Sequence, residues 1–482
     1  MVGDRGFEVF ACGRGDYGQL GGGNYEHRRA PAKVTGLVGI LGKARVVMVA
    51  ARRNHCAACT SEGELLTWGQ GFFGQLGHGN WDHKHTPAKL GRSLFGGAAV
   101  VMVSCGGAHT VAVTELGRLF TFGAGDSGQL GHGDKLRRDL PVEVWAGRFA
   151  STKIVYTAAG DNHSMVVSSS GRVWTWGWGA HGQLGHDNLE DQLVPKELQG
   201  QFGGSKAVML AAGSRHSMVL CLDGALWGCG SGCYGQLGVG DTVCREAPVR
   251  VGAEAFGQAG VLMVACGSFH TMAVSNGGGL WSWGRGEEGR LGHNDKRDRH
   301  VPERVPAELF KGANIVTAAC GDMHSAAVTE EGALYTWGRA VTYPGSAEPA
   351  GLGHEDMENK HLPTLVDPMH LLGARIGRCL PLDPLAALTF AMGTHNRLGA
   401  GPSRAGTGGK RLTRRVEAKE LTGGGEGAGG CSGQGCLYLR RMPEELVRKV
   451  VEACRGWPEG CAGEADGLVR LLGGGSLERI KM

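Results

Sequence analysis

A glycine-rich loop recurs along this chain at a nearly constant interval, and that periodicity restricts the fold more than any other feature. The glycine that opens the loop stands at Gly13, Gly69, Gly123, Gly177, Gly230, Gly284, Gly338 and Gly393, with spacings of 56, 54, 54, 53, 54, 54 and 55 residues. A period of this size means one small unit of secondary structure per repeat, packed against copies of itself. Each unit follows the same grammar: Val/Ala-rich residues, a Gly-x-x-His step, alternating apolar residues, a turn glycine, a second alternating run ending in Trp-Gly, then Gly-Gln-Leu-Gly. In one unit these are His55, Gly63, Leu65 to Trp68 and Gly74-Gln75-Leu76-Gly77.

Period-two alternation between glycine turns predicts antiparallel strands, three or four per unit. A late strand is expected to follow Pro31, Pro87, Pro141, Pro195, Pro248, Pro302 and Pro363, because a missing N–H is tolerated at a sheet edge or a strand start. Four-stranded units repeated at this length predict propeller blades, since closure into a ring protects edges that would otherwise template aggregation. The 87 glycines among 482 residues, more than twice the usual ~7%, exclude a mainly helical chain. Collagen is excluded as well, because the glycines do not recur every third residue and only 16 prolines are present.

The two ends settle the expected blade count. The His step occurs at His55, His109, His163, His216, His270 and His324, whereas Phe7 to Gly21 supplies only a late strand and its loop. At the other end, Ile376 to Gly393 supplies early strands, with Pro384-Leu385 where a His step would fall. Two half-units predict a seventh blade. The fold expected is all-β: a seven-bladed β-propeller of four-stranded antiparallel blades over residues 1–400, closed by N- and C-terminal strands.

These residues resemble the regulator of chromosome condensation repeat family, whose repeats of this length form a seven-bladed propeller closed by both termini. Gly-Gln-Leu-Gly stands at Gly18, Gly74, Gly128, Gly182 and Gly235, with Gly289-Arg290-Leu291-Gly292 as a variant.

Several motifs invite a catalytic or cofactor reading. Gly13-x-Gly15-x-x-Gly18 and its counterparts fit a dinucleotide fingerprint, but a phosphate-binding loop needs a following helix, and strands follow here. No cofactor is expected. The six step histidines would each lie in a different blade, too far apart for a first shell of ~2 Å bonds, so each is expected to hydrogen-bond within its own blade. The Gly-His pairs at His78, His132, His186, His293 and His354 receive the same structural reading. Cys105, Cys266 and Cys320 suit small buried positions, and Cys56-x-x-Cys59 lies in an alternating strand; no metal is expected. Tryptophans at 68, 174, 176, 178, 281, 283 and 337 read as core. Light-sensing relatives of this family cluster tryptophans at the His step, where this chain has none.

The departures from the repeat carry the functional expectation. The residues between Gly and His vary, and variable loops on a rigid scaffold make a binding face. Asp161, Asn162, Arg215, Phe269, Asp322 and Met323 are therefore candidate partner-binding residues. An insertion, Arg339 to Ala350, follows Trp337-Gly338 and adds Arg339 and Tyr343, with Tyr343-Pro344-Gly345 as a turn. In the family's guanine-nucleotide exchange factor, an acidic residue in a Gly-Asp-x-His step and a wedge after the next Trp-Gly act together on a small GTPase, without covalent chemistry. Gly321-Asp322-Met323-His324 and the insertion resemble that pairing. The next unit is degenerate at Pro381 to Leu385, so an ordinary loop insertion stays open beside it. No catalytic residue is assigned.

With 50 Lys+Arg against 46 Asp+Glu, the formal charge of +4 names no partner. An odd fifteen cysteines, and Asp4, Arg5 and Glu8 where a secretory signal would be apolar, point to a reducing intracellular setting, nucleus or cytoplasm. No apolar run approaches the ~18 residues of a membrane helix. Residues 401–438 form a basic, then glycine-rich linker; the basic run at 404–419 reads as a solvated linker or as a contact to nucleic acid or chromatin. Within 439–482, Pro443, Glu444 and Glu445 open an amphipathic helix with Leu446, Val447, Val450, Val451 and Cys454 along one side. The overall expectation is a monomeric, non-catalytic protein-interaction propeller, with exchange on a small GTPase as its most specific form. An adaptor or scaffold in a ubiquitin-ligase or chromatin-associated assembly is the alternative.

Overall fold

Small side chains on the first strand of each repeat, and bulky ones on the third, suit a wedge-shaped sheet that narrows toward an axis. The computed structural model describes residues 8–371 apart from 150, 151, 201, 258, 342–346, 349 and 350. Among the described residues, six four-stranded antiparallel sheets and one two-stranded sheet are formed. The first full sheet runs in chain order from Val46–Arg52 through His55–Thr60 and Leu65–Gly69 to Lys84–Leu90. The next five, beginning with Val100–Cys105, Ile154–Ala159, Ala207–Ala212, Val261–Cys266 and Ile315–Cys320, repeat that order. First strands of adjacent sheets touch one another and therefore line the axis. The fold is an all-β propeller of four-stranded blades.

The fourth strands form the outer edge and are only half-buried. Here the sequence expectation needs correction. The prolines do not precede these strands but sit inside them: Pro87 lies within Lys84–Leu90 and Pro141 within Arg138–Glu143, each where the register with the third strand breaks. An edge strand with a bulge has no ladder partner waiting for the N–H that proline lacks.

Between blades, a short 3-10 turn carries one buried phenylalanine onto the third strand of the next sheet. Phe95 meets Phe120 at 5.3 Å, Phe149 meets Trp174 at 5.6 Å, Phe202 meets Trp227 at 6.0 Å, Phe256 meets Trp281 at 5.7 Å and Phe310 meets Tyr335 at 5.1 Å between ring centroids. All five pairs are close to edge-to-face, an arrangement worth about 0.5–1.5 kcal/mol beyond burial.

The two-stranded sheet, Phe10–Gly13 with Arg28–Lys33, packs on both neighbours. Leu20 and Val34 join the cluster containing Leu66 and Trp68 of the first full sheet. On its other side Cys12 packs with Ala326, Val328 and Leu334 of the sixth. The N-terminal half-unit thus sits between the first and last full sheets, as its late-strand sequence requires. Ile376 to Gly393, expected to supply early strands to it, lies outside the described residues. So do the basic run at 404–419, the linker 401–438 and the helical segment 439–482. No described helix is long and apolar enough to cross a membrane.

Candidate functional site

Each Gly-x-x-His loop packs beside the loop that follows Trp-Gly, because both leave the sheet at the same end. Backbone hydrogen bonds fix the pairing in all six blades: Gln70 N–H to Asn54 O, Ala124 to Ala108, Trp178 to Asn162, Ser231 to Arg215, Arg285 to Phe269 and Arg339 to Met323, at 2.7–2.9 Å. Asn162, Arg215, Phe269 and Met323 consequently share one face of the propeller, half-buried, with Arg339 beside them. Tyr343 lies outside the described residues.

The step histidines hold this face together, though not as expected. Their partners lie in the next blade rather than their own. His55 Nε2 meets Thr110 Oγ1 at 3.1 Å, His109 meets Ser164 at 2.9 Å, His163 meets Ser217 at 3.0 Å, His216 meets Thr271 at 3.1 Å and His270 meets Ser325 at 3.0 Å. The same hydroxyls donate to the carbonyl of the Gly-Gln-Leu-Gly loop, as in Thr110 to Gln75 O at 2.8 Å and Ser164 to Gln129 O at 2.8 Å. A hydroxyl whose one proton is already given can only accept from the imidazole, so Nε2 carries the hydrogen. Burial pushes His55, His109, His163, His216 and His324 down to about 3, which keeps them neutral. Tryptophan adds to the seam: Trp176 Nε1 donates to Gln129 O of the preceding blade at 2.9 Å.

Glycine in the step is a steric requirement, since a Cβ on Gly106 would stand 2.1 Å from His109 Cε1. The first full blade breaks this rule, and that exception builds the centre of the face. Arg52 replaces the glycine, Arg53 takes φ +53°, and Arg52 pairs with His55 across a tight turn. The Arg52 side chain then crosses the axis. Its Nε donates to Asp161 Oδ1 at 2.9 Å in the third full blade, and its Nη1 to Ala212 O at 2.9 Å in the fourth. Arg53 Nη2 donates to Asp161 Oδ2 at 2.7 Å.

Burial alone would raise the Asp161 carboxyl; the Arg53 and Arg52 guanidiniums, with hydrogen bonds from Arg53 and Ser214, outweigh it and hold the group well below the usual carboxylate range. The Ser214 and Ser268 hydroxyls lie 2.9 Å apart in a hydrogen bond, and Ser268 hydrogen-bonds Asp322 in the sixth full blade. Asp322 has the opposite bias. Burial pushes its carboxyl up despite Ser268 and the charge of Arg290, and its Oδ1 takes no hydrogen bond among the described residues. Arg290, which replaces the loop glutamine, is buried and pushed down to about 10 by that burial.

The expected site residues therefore divide. Asp161 is consumed by the two arginines and is structural, whereas Asp322 retains an unused buried oxygen. On the same face the third to fifth full blades carry a cationic and aromatic arc. Arg215 stands over Trp178 at 5.8 Å, Arg285 over Tyr234 at 4.6 Å and Phe269 at 5.8 Å, and Tyr234 meets Phe269 at 5.4 Å. Arg339 Nη1 contacts Met323 Sδ at 3.0 Å. Trp178, read from sequence as core, belongs to this half-exposed arc. Arg52, Arg53, Arg285 and Arg290 were missed by sequence reasoning. For Arg52 and Arg290 the signal available was departure from the repeat, arginine at a step glycine and at a loop glutamine; Arg53 and Arg285 stand at positions that vary from unit to unit.

The fold and site define a repeat β-propeller whose loops at one end of the axis form a joint surface. The RCC1-like domain model matches residues 7–380, and the chain belongs to that family. It is 38% identical over 309 residues to the Arabidopsis thaliana ultraviolet-B receptor UVR8, covering 64% of this chain and 68% of that one. It is 31% identical over 362 residues to the Arabidopsis thaliana mitochondrial RCC1 domain-containing protein RUG3, covering 70% and 78%. Human E3 ubiquitin-protein ligase HERC2 matches at 33% identity over 334 residues, 69% of this chain but only 7% of HERC2. Among solved structures, Prp20p from Saccharomyces cerevisiae superposes with a TM-score of 0.65 at 24% identity, covering 76% of this chain and 86% of that one.

Proposed function

We propose that this chain regulates a protein partner by binding it through the face built from the step loops and the loops after Trp-Gly. The observation that carries this reading is the arc of Trp178, Arg215, Tyr234, Phe269 and Arg285 on the third to fifth full blades. Aromatic side chains and arginine dominate the energetics of protein interfaces, and stacking holds these in place before a partner arrives. Asp322 lies beneath this face, with its Oδ1 buried and without a hydrogen bond among the described residues, so it would meet a partner only if the loops above it moved.

A small GTPase is the partner class that the family resemblance favours, through Asp322 in its Gly-Asp-x-His step and the insertion after Gly338. Yeast Prp20p, of the same fold, has been studied for its binding to Gsp1p and histones. The two-stranded sheet is read here as the outer half of a seventh blade, completed by 376–393, with the linker and helical tail beyond it. Chromatin contact through 404–419, an adaptor role in a ubiquitin-ligase assembly, and a nuclear or cytoplasmic setting are further parts of the proposal. Light sensing is left out, since the His steps hold no tryptophan.

The test is release of labelled nucleotide from a panel of small GTPases, comparing wild type with Asp322→Asn and Arg285→Ala. Acceleration by wild type that falls at least tenfold in both variants is expected. No acceleration with any GTPase removes the exchange reading, and equal acceleration by all three proteins removes the assigned face.

A further inference from the structure

In four of the sheets two equivalent positions are in contact although their side chains differ. One lies in the loop after Trp-Gly, and the other 11 residues later, just before the fourth strand. In the two-stranded sheet they are Asp16 and His27, with His27 Nε2 3.5 Å from Asp16 Oδ1. In the first full blade Phe72 and His83 meet edge-to-face at 4.2 Å between centroids, and in the second Arg137 pairs with Asp126 at 3.3 Å. The fourth full blade places Cys233 and Cys244 there, both exposed, with Sγ atoms 3.7 Å apart. The proximity of the two thiols is thus a property of the backbone repeat, independent of any attraction between them.

The second position has a structural task in other blades, which Cys244 gives up. His27, His83, Asp191 and Asp298 each accept a backbone N–H, from Gly15, Gly71, Gly179 and Gly286, at 2.8–3.0 Å. Thiol sulfur is a poor acceptor for that bond. The remaining eight described cysteines are buried, and burial raises their thiols away from the reactive thiolate form.

We propose that Cys233 and Cys244 are a reversible dithiol/disulfide modification site that reacts with low-molecular-weight disulfides. One thiolate attacks a sulfur of glutathione disulfide, forming a mixed disulfide and expelling one glutathione thiolate, which takes up the proton. The neighbouring thiolate then attacks the protein-side sulfur and expels the second glutathione. Two protein thiols are oxidised, one disulfide is reduced to two thiols, and no other reactant is needed. The new bond ties the Ser231 to Tyr234 loop to the start of the fourth strand. It does so beside Tyr234, but the chemistry stands whether or not that face binds a partner.

The experiment uses the full chain, reduced and then equilibrated in glutathione buffers of rising oxidised fraction, trapped with N-ethylmaleimide and mapped by peptide mass spectrometry. A Cys233–Cys244 cross-linked peptide, two hydrogens lighter than the dithiol pair, is expected while the eight buried cysteines are alkylated only after denaturation. In Cys233→Ser, Cys244 is expected to accumulate as a glutathione adduct instead. The proposal is overturned if wild type carries glutathione on both positions without a cross-link. Bonding of either cysteine to one in 372–482, or no reaction at either, overturns it equally.

Discussion

Acidification tests the buried histidine seam most directly. His55, His109, His163, His216 and His324 are held at about 3 by burial, against about 6.5 in an unfolded chain. Their folded-state values are depressed, so the unfolded state binds more protons and stability rises with pH between those limits. The contribution is complete above pH ~6.5 and is lost progressively as pH falls toward 3. At pH 5.5 each neutral imidazole costs about 1.4 kcal/mol relative to the unfolded chain, and five together cost about 7 kcal/mol. That is comparable with the whole stability of an ordinary domain, about 5–15 kcal/mol. Urea denaturation followed by tryptophan fluorescence at pH 7.5, 6.5 and 5.5 is the assay. A loss of several kcal/mol at constant slope in urea is expected, with His163→Gln losing about 1.4 kcal/mol less than wild type over the whole interval from pH 7.5 to 5.5. A midpoint that stays put from pH 7.5 to 5.5, or a variant with the wild-type pH dependence, would refute the neutral-imidazole seam.

Two further perturbations probe the same face. Arg52→Ala leaves the buried Asp161 charge to Arg53 and Ser214 and should destabilise by about 3–5 kcal/mol, read by thermal or urea unfolding; a change under 1 kcal/mol would show that Arg52 is not its counter-ion. Trp176→Phe removes the bond to Gln129 O and part of the buried ring and should cost about 1–3 kcal/mol, whereas Trp176→Ala should cost about 3–5 kcal/mol. Equal losses in the two variants would mean that the hydrogen bond, rather than packing, holds that seam.

Much of the fold was legible because the repeat states the same instruction many times. Alternation marked the strands, turn glycines marked the hairpins, and the surplus late strand at Phe7 to Gly21 marked the N-terminal half-unit. The site was legible only in outline. Asp161 and Asp322 occupy identical repeat positions, so the sequence treats them alike. One is neutralised by an arginine from a blade 109 residues earlier in the chain; the other keeps an unused oxygen. Likewise Cys233 and Cys244 are simply two cysteines until the blade brings their sulfurs together.

By itself, then, the amino-acid order determined what each unit becomes, because strand alternation, turn glycines and edge prolines act over a few residues. It also showed which loops vary. Only the tertiary structure decided which blade each histidine serves, which aspartate is paired with arginine and which two thiols meet. Those outcomes depend on side chains reaching between sheets and across the axis, over distances that local pattern does not encode.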